Sequence, residues 1–267
     1  MQFFKVKTVE ETFTLIDEKI SATGDTEVRE LSSALHYILA SPVAAKENVP
    51  SFDRSTVDGY AVRAKDTYGS SESMPGFLNV AGEVKMGEVP TVEVTKGSAV
   101  AVPTGGMLPK GSDSVIMIEH CEDVDSLLNT YKQIAPLENV IRAGEDIKQG
   151  EILLTSGTKL RPQELGALAS LGVTHVTVFR KVKVGYLSSG DEIVPYQTET
   201  LQEGQIRDIN YLTIAGLAQE WNVEVLYGGI VRDDFAEFSE RARALYDEVD
   251  CLILSGGSSV GAKDYTT

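Results

Sequence analysis

Apolar residues at helical spacing mark the start of the chain. Residues 8–11 (Thr-Val-Glu-Glu) have the form of a capping box, and an apolar residue then recurs every three or four positions. These apolar residues are Val9, Phe13, Ile16 and Ile20. The pattern predicts an amphipathic helix over about 8–20. A second helix, which Pro42 would end, is predicted from Ala34, Leu35, Ile38 and Leu39.

The sequence pattern is different from about residue 47 to residue 140, where short β-prone runs are separated by Gly and Pro. This region is predicted to be a small mostly-β module. Its clearest runs are Phe77–Val80, Thr91–Val94, Ala99–Val102 and Ser114–Ile118. Beyond it the sequence predicts a strand at Ile152–Leu154, a helix over about 162–171 and a strand at His175–Phe179.

Strand and helix patterns alternate after residue 181. Strands are predicted at 182–187, 223–227 and 249–254, with helices at 210–221 and 234–246. Such alternation indicates βαβ units on a parallel sheet, which bind ligands beyond the carboxyl ends of their strands. Two turns occupy such positions: residues 188–192 (Ser-Ser-Gly-Asp-Glu) and the glycine-rich loop 256–261.

The glycine-rich loop follows the apolar run Cys251–Leu254 and ends near Asp264. Its glycines allow backbone N–H groups to approach a phosphate, its serines add donors, and the carboxylate of Asp264 suits a hard cation. The loop lacks the ending of a Walker A motif. A tight strand-to-helix connection that needs glycines for positive φ is the alternative explanation.

Acidic residues follow two of the predicted strands. Asp191 and Glu192 close the first turn, and Glu192 could share one Mg²⁺ with Asp264 if their strands are adjacent. A solvated acidic turn or a helix N-cap explains the same residues without function. Asp233 and Asp234 precede a helix, and an N-cap role accounts for one of them.

The amino-acid composition limits the kinds of molecule that the protein is expected to bind and the compartment in which it is expected to occur. The net charge of −16 and a pI near 4.6 argue against nucleic acid and against an anionic membrane surface. The two cysteines, Cys121 and Cys251, form no metal-type cluster and fit a reducing compartment. No run has the length of a membrane span, and no secretory leader is evident. A cytoplasmic protein is therefore expected.

A series of motifs along the chain resembles that of a known protein family. In order they read PSFDRSTVDGYAV, PTGGMLPKGSDSVIMIE, RAGEDIKQGEILLTSGTKLRPQELGALASLGV, SSGDEI, GQIRDIN, VRDD and SGGSSVGAKDY. This series closely resembles the molybdopterin molybdenumtransferases, the family of MoeA and the gephyrin E domain, from about residue 10 onward. The resemblance implies cofactor biosynthesis, in which molybdate is inserted into adenylated molybdopterin with Mg²⁺-dependent release of AMP.

The resemblance also implies a multidomain α/β architecture and an elongated homodimer with an active site shared between subunits. Residues 1–46 and 141–180 would form the first domain with its N-terminal helices, and 47–140 the inserted mostly-β domain. Residues 181–267 would form an incomplete three-layer α/β domain with a mostly parallel sheet, like that of pterin adenylyltransferases. The chain is expected to be truncated before the end of this third domain and to be inactive alone.

Site residues are carried over by motif. Asp58 matches an acidic residue that faces the partner subunit's active site, and Thr104 a functional threonine on the same module, although the pattern alone predicts only turns there. Asp233 matches the aspartate before the helix. Glu192 and Asp264 match the metal-associated carboxylates, and Asp264 is also expected to be catalytic. The expected binders of the pterin or the adenylate are Ser188, Gly190, Gly256, Gly257, Ser258, Ser259 and Gly261.

The sequence departs from the family pattern in places: Ser189 stands where threonine is usual, Ser258 where valine is usual, and Ile209 where serine is common. Two alternatives remain. A pterin adenylyltransferase-like nucleotide-binding protein would share the third domain, but such enzymes lack the upstream PSFDRSTVDGYA and PTGGMLPKG segments. A non-enzymatic gephyrin-like scaffold would bind receptor peptides.

Overall fold

The structure, a computed structural model, describes residues 7–21 and 23–256. Its α-helices are α1 (Val9–Lys19), α2 (Pro162–Ser170), α3 (Asn210–Glu220) and α4 (Phe235–Tyr246). The capping box at α1 is confirmed: Thr8 Oγ1 accepts from the Glu11 N–H at 3.2 Å, and the Glu11 carboxylate accepts from the Thr8 N–H at 2.8 Å. One-turn 3₁₀ helices lie at Leu31–Ser33, Ala64–Thr67 and Ile118–His120.

The strands of the described residues follow in chain order. They are β1 (Thr26–Glu30), β2 (Ile38–Leu39), β3 (Val43–Ala44), β4 (Arg54–Ser55), β5 (Gly59–Val62), β6 (Gly76–Glu83), β7 (Ser98–Val102), β8 (Ser114–Met117), β9 (Cys121–Val124), β10 (Leu127–Thr130), β11 (Val140–Ile141), β12 (Ile152–Leu154), β13 (His175–Phe179), β14 (Lys183–Ser189), β15 (Ile193–Val194), β16 (Ile206–Arg207), β17 (Glu224–Val231) and β18 (Cys251–Ser255).

The chain divides into two compact units. The β unit comprises Pro42–Thr155 and Gly166–Val173. The α/β unit comprises the described residues up to Ser41, the segment Ser156–Leu165 and those from Thr174 onward. The predicted division into three domains stays a prediction.

The β unit is built on a six-stranded sheet in the order β8-β5-β7-β6-β10-β9. Its pairs are antiparallel except for the parallel pair β6–β7. Because side chains alternate along a strand, β5 sends Ala61 to one buried cluster and Val62 to another. At Gly59 β5 approaches β8 so closely that a side-chain carbon would collide with the Ile116 carbonyl oxygen. The glycine therefore fixes the start of the strand that follows Asp58.

The α/β unit contains a parallel sheet in the order β17-β14-β18. Helix α3 lies on the face that carries Val184 and Val225, where its Ala218 borders the same small apolar groove. Helix α4 packs through Phe238 against Leu187. Val184 and Leu187 point to opposite faces because their positions differ by an odd number. The expected three-layer α/β arrangement in one unit and the expected β-rich fold in the other are therefore confirmed for the described residues.

Two predicted elements are wrong. Residues 34–42 do not form a helix: His36 has a positive φ of 68°, and Ile38–Leu39 pair with β13 as strand β2. The N–H groups of His36 and Leu39 bond to the carbonyls of Leu160 and Thr158, so distant partners override the local pattern. Residues 91–94 form no regular strand either, although the Val94 N–H bonds to the Lys110 carbonyl.

The other predicted helices and strands are confirmed within a few residues at their ends. Within the described part of the chain, none of the helices has the length and apolar character that crossing a bilayer requires.

Candidate functional site

Three loops leave the parallel sheet at its carboxyl edge. The central strand β14 runs into the turn 190–192, and its neighbours β17 and β18 run into the loops that begin at Arg232 and Gly256. Ser189 pairs with Val231, and Ser188 pairs with Ser255. The first turn and the start of the glycine-rich loop therefore leave adjacent strands, as the metal hypothesis requires.

Two glycines allow these loops to approach one another. Gly256 has a φ of 111°, and a side-chain carbon there would collide with the Ser189 carbonyl oxygen. Gly190 has a φ of 148°, and a side-chain carbon there would lie 2.7 Å from the Glu192 carboxylate. Both positions favour glycine for φ, and Gly256 requires it for space as well, because its neighbour is backbone. The Glu192 carboxylate consequently lies over the backbone at the end of β14.

The adjacent aspartates after β17 have different partners. Asp234 is the N-cap of α4, and its Oδ1 accepts from the Glu237 N–H at 2.9 Å. The Asp233 N–H donates to Asp191 Oδ1 at 3.3 Å and links the loop after β17 to the turn after β14. The predicted N-cap role thus belongs to Asp234. The side chain of Asp233 is exposed.

The donor set at this edge can be compared with the needs of Mg²⁺. Magnesium takes oxygen ligands and is held in proteins by one or two carboxylates together with substrate phosphates. Asp191 and Glu192 supply exposed carboxylates at the end of β14. Residues 7–21 and 23–256 contain no cluster of three or more His, Cys, Asp or Glu suited to a metal. Asp191 and Glu192 thus fit the one or two carboxylates that such an ion takes from a protein.

Asp58 and Thr104 lie together within the β unit. The Thr104 N–H donates to Asp58 Oδ1 at 2.8 Å, across 46 residues of sequence. Thr104 and the positive-φ Gly105 follow β7, while Asp58 precedes β5, its antiparallel partner. The structure therefore brings together two residues that the family motifs singled out separately.

A cavity of about 720 Å³ opens beside the ends of β14 and β17. Its lining includes Gly190 and Asp191 after β14, Arg232 after β17, and the segment 193–197. Arg207 holds the residues that follow this segment: its guanidinium donates to the Thr198 carbonyl at 2.6 and 2.8 Å and to the Glu199 carbonyl at 2.8 Å. The positive charge of Arg207 is thus committed to the loop, whereas Arg232 faces the cavity.

A buried carboxylate organises one side of the cavity. Asp208 is 5% exposed, and its Oδ2 accepts from Ser188 Oγ at 2.6 Å and from the Tyr227 hydroxyl at 2.8 Å. Its Oδ1 accepts from the Tyr211 N–H at 3.2 Å in the first turn of α3. Burial, followed by the hydrogen bond to Asp208, raises the pKa of Tyr227 above its ordinary range, so this hydroxyl keeps its proton near neutral pH.

Sequence reasoning missed Asp208 as a site residue. The motif GQIRDIN contains it, and an aspartate three residues before Tyr211 is a recognisable signal for bonding to a helix N-terminus. Ile209, which replaces the common serine, makes no side-chain cap, and Asp208 contacts the helix start instead. Ser188, a predicted cofactor-binding residue, is 1% exposed and donates its hydroxyl to Asp208. A contact of its side chain with a ligand stays a prediction.

Several predicted residues cannot be placed. Gly257, Ser258, Ser259, Gly261 and Asp264 lie outside the described residues. The pairing of Glu192 with Asp264 at one metal ion therefore also stays a prediction.

Known protein families match nearly the whole chain. Residues 7–172 match the family described as "MoeA N-terminal region (domain I and II)", and residues 185–267 match the "Probable molybdopterin binding domain". The chain is 39% identical over 250 residues to the molybdopterin molybdenumtransferase of Haemophilus influenzae, covering 93% of this chain and 60% of that protein. Its identity to the Bacillus subtilis molybdopterin molybdenumtransferase is 35% over 246 residues, covering 91% and 57%.

Solved structures of this family also resemble the chain. The crystal structure of the molybdopterin biosynthesis moeA protein from Pyrococcus horikoshii OT3 aligns with a TM-score of 0.87 at 35% identity, over 92% of this chain and 65% of that chain. The chain thus spans 57% to 65% of the length of these relatives.

Proposed function

Because this chain belongs to the MoeA family, we propose that it acts in molybdenum cofactor biosynthesis, as the part of a molybdopterin molybdenumtransferase that holds the substrate. The proposed reaction inserts molybdate into adenylated molybdopterin and releases AMP. The observation that carries this proposal is that β14, β17 and β18 end at one edge of the parallel sheet, where the residues after β14 and β17 line the cavity.

The proposed roles follow from this placement. Backbone N–H groups of the glycine-rich loop, which begins at Gly256, would bind the phosphates of the adenylate. Glu192 and Asp264 would hold Mg²⁺, which supplies charge neutralisation at the phosphates. Asp233 would orient the adenylate from the loop after β17. Asp58, held by the Thr104 N–H, would act on the substrate bound by a second copy of the chain.

The proposal includes a homodimer, and helix α1 supports it. Its apolar stripe consists of Val9, Phe13, Ile16 and Ile20, which are 66%, 63%, 42% and 66% exposed. Among the described residues, α1 contributes no buried side chain to the fold. An amphipathic helix with its apolar face in water is stabilised when that face packs against a partner. Phe13→Glu is therefore expected to shift the mass measured by light scattering from dimer to monomer, whereas Tyr246→Glu leaves it unchanged.

The activity is tested by AMP release from adenylated molybdopterin with molybdate and MgCl₂. Since the chain spans 60% of the Haemophilus influenzae relative, the assay uses a chimera that adds the residues of that relative beyond the match. Asp58→Asn and Glu192→Gln are each expected to lower AMP release by about 100-fold or more, because groups that act on the reacting phosphates contribute on this order. Glu240→Gln on the exposed side of α4 is the matched control.

The outcomes separate the alternatives. AMP release that survives Glu192→Gln at wild-type rates would contradict the metal role. A chimera that binds a receptor peptide but releases no AMP would instead indicate the scaffold function. Formation of the adenylate from ATP and molybdopterin would indicate an adenylyltransferase.

A further inference from the structure

Two tyrosines form a wall of the cavity, here called the tyrosine wall: Tyr211 at the start of α3 and Tyr227 on β17. Both line the cavity, and their ring centroids lie 3.9 Å apart with an interplanar angle of 16°. Tyr227 is 38% exposed, so the pair is not a core contact sealed from solvent. Partly exposed, nearly parallel rings next to a cavity present a π surface to whatever enters it.

The wall is fixed in place before any ligand binds. The Tyr227 hydroxyl is anchored on buried Asp208, whose other oxygen holds the Tyr211 backbone N–H. Ser188 donates to the same carboxylate, which ties the wall to the central strand β14. Behind it, the buried ring of Tyr186 lies 6.3 Å from both rings of the wall. A binding surface held by such contacts loses little conformational freedom on binding, which favours affinity.

The rest of the cavity has the chemistry to recognise a ring with polar edges. Gln197 and Gln205 line it and offer amide donors and acceptors, Asp191 offers a carboxylate, and Arg232 offers a guanidinium. The volume of about 720 Å³ lies within the range of small-molecule sites. A flat stacking face combined with hydrogen-bonding groups at the sides suits a planar nitrogen heterocycle better than a sugar or a purely aliphatic group.

We propose that the tyrosine wall is a stacking subsite for the planar nitrogen heterocycle of the substrate, with Tyr227 as a ring that contacts this heterocycle. This inference rests on the proposed function, whose substrate carries two such rings, an adenine and a pterin. Stacking on an aromatic side chain tolerates either ring, because each has a π face. The shared chemistry is assigned to the wall, and the experiment distinguishes the two rings.

The test measures dissociation constants of the chain by calorimetry with two probes, AMP and 6-carboxypterin. Tyr227→Leu keeps an apolar side chain but removes the ring, and it is expected to weaken binding of the stacked probe by about 5- to 150-fold. Tyr227→Phe keeps the ring but removes the hydroxyl that anchors it on Asp208, and it is expected to weaken that probe less than Tyr227→Leu does. Tyr211→Leu, which removes the other ring of the wall, is expected to weaken the same probe.

The matched control is Tyr246→Leu, which removes a 70% exposed tyrosine that does not line the cavity. Weakening of AMP alone assigns the wall to adenine, and weakening of the pterin alone assigns it to the pterin. Unchanged binding of both probes in a folded Tyr227→Leu chain overturns the inference, as does a wild-type chain that binds neither probe. Tyr227-dependent binding together with a chimera that releases no AMP would overturn the proposed reaction and leave the stacking subsite standing.

Discussion

At the residue scale, Asp250 shows how one carboxylate ties several segments together. Its two oxygens accept from the Arg180 guanidinium, each at 2.7 Å, and one of them also accepts from the Lys183 N–H at 2.9 Å. Arg180 donates in addition to Asp25 at 2.9 Å. The Arg180 hydrogen bonds, followed by that of Lys183, lower the pKa of Asp250 to about 2. This cluster fixes the connection between β13 and β14.

The lowered pKa of Asp250 predicts a specific acid sensitivity. A carboxylate with a depressed folded-state pKa contributes stability above its unfolded pKa of about 3.9, and the contribution is lost as the pH falls through about 2. Urea midpoints of the wild type should therefore fall between about pH 4 and pH 2 by more than those of Asp250→Asn. Glu240→Gln, which removes an exposed carboxylate, should keep the wild-type slope. Identical slopes in all three proteins would contradict the prediction.

Tyr186, unlike Asp250, carries a polar group whose removal is expected to stabilise the fold. Its side chain is 1% exposed, and within residues 7–21 and 23–256 its hydroxyl has no hydrogen-bond partner. A buried hydroxyl without a partner destabilises the fold, so Tyr186→Phe should raise the free energy of unfolding by about 1 kcal/mol. Urea denaturation measures this change, with Tyr246→Phe as the exposed control. A loss of stability would mean that the hydroxyl has a partner outside the described residues.

Residue roles were predictable where a local rule applies. An aspartate before a helix is a known N-cap, and Asp234 has that role. The tyrosine wall carries no such signal, because Tyr211 and Tyr227 meet only through the packing of α3 on the sheet. Asp208 is intermediate, since its bond to the helix start is local while its bonds to Ser188 and Tyr227 depend on the tertiary fold.

At the scale of elements, α1 depends on its cap. Thr8→Ala removes the side-chain acceptor of the Glu11 N–H and should lower the local stability of the helix by about 1 kcal/mol. Hydrogen exchange of the α1 amides measures this effect. Thr14→Ala lies on the same helix and should not increase exchange, because alanine is the better helix former. Equal exchange rates in the two variants would show that the cap contributes nothing.

The elements of the α/β unit were predictable because their patterns are long. Strands β14, β17 and β18 and helices α3 and α4 each carry an apolar periodicity that agrees with the fold. The helix prediction for residues 34–42 was wrong because the apolar run is short, and short runs fit helix and strand equally well. Their hydrogen-bond partners Leu160 and Thr158 are more than a hundred residues away in the sequence, so no local pattern could indicate them.

At the scale of the whole molecule, the large negative net charge affects stability. The net charge of −16 produces self-repulsion, which salt screens. Raising NaCl from about 0.01 M to about 0.1 M shortens the Debye length from about 30 Å to about 10 Å. The melting temperature should therefore rise, because the screened charges repel one another less in the compact state. KCl should act equally, and a falling melting temperature would contradict the prediction.

The architecture of the molecule follows from the sequence to a large extent. Alternating strands and helices predicted the parallel sheet, and the geometry of such sheets places the loops after β14 and β18 side by side. The pairing of Asp58 with Thr104 depends on the order of strands in the β unit, which no periodicity encodes.

The stacked rings of Tyr211 and Tyr227 also have an optical consequence. Two phenols with centroids 3.9 Å apart absorb ultraviolet light as a coupled pair rather than as independent chromophores. Their near-ultraviolet circular dichroism therefore depends on the geometry of this pair and on any π system placed against it. A ligand that stacks on the tyrosine wall should therefore change this signal, which needs no added label to be measured.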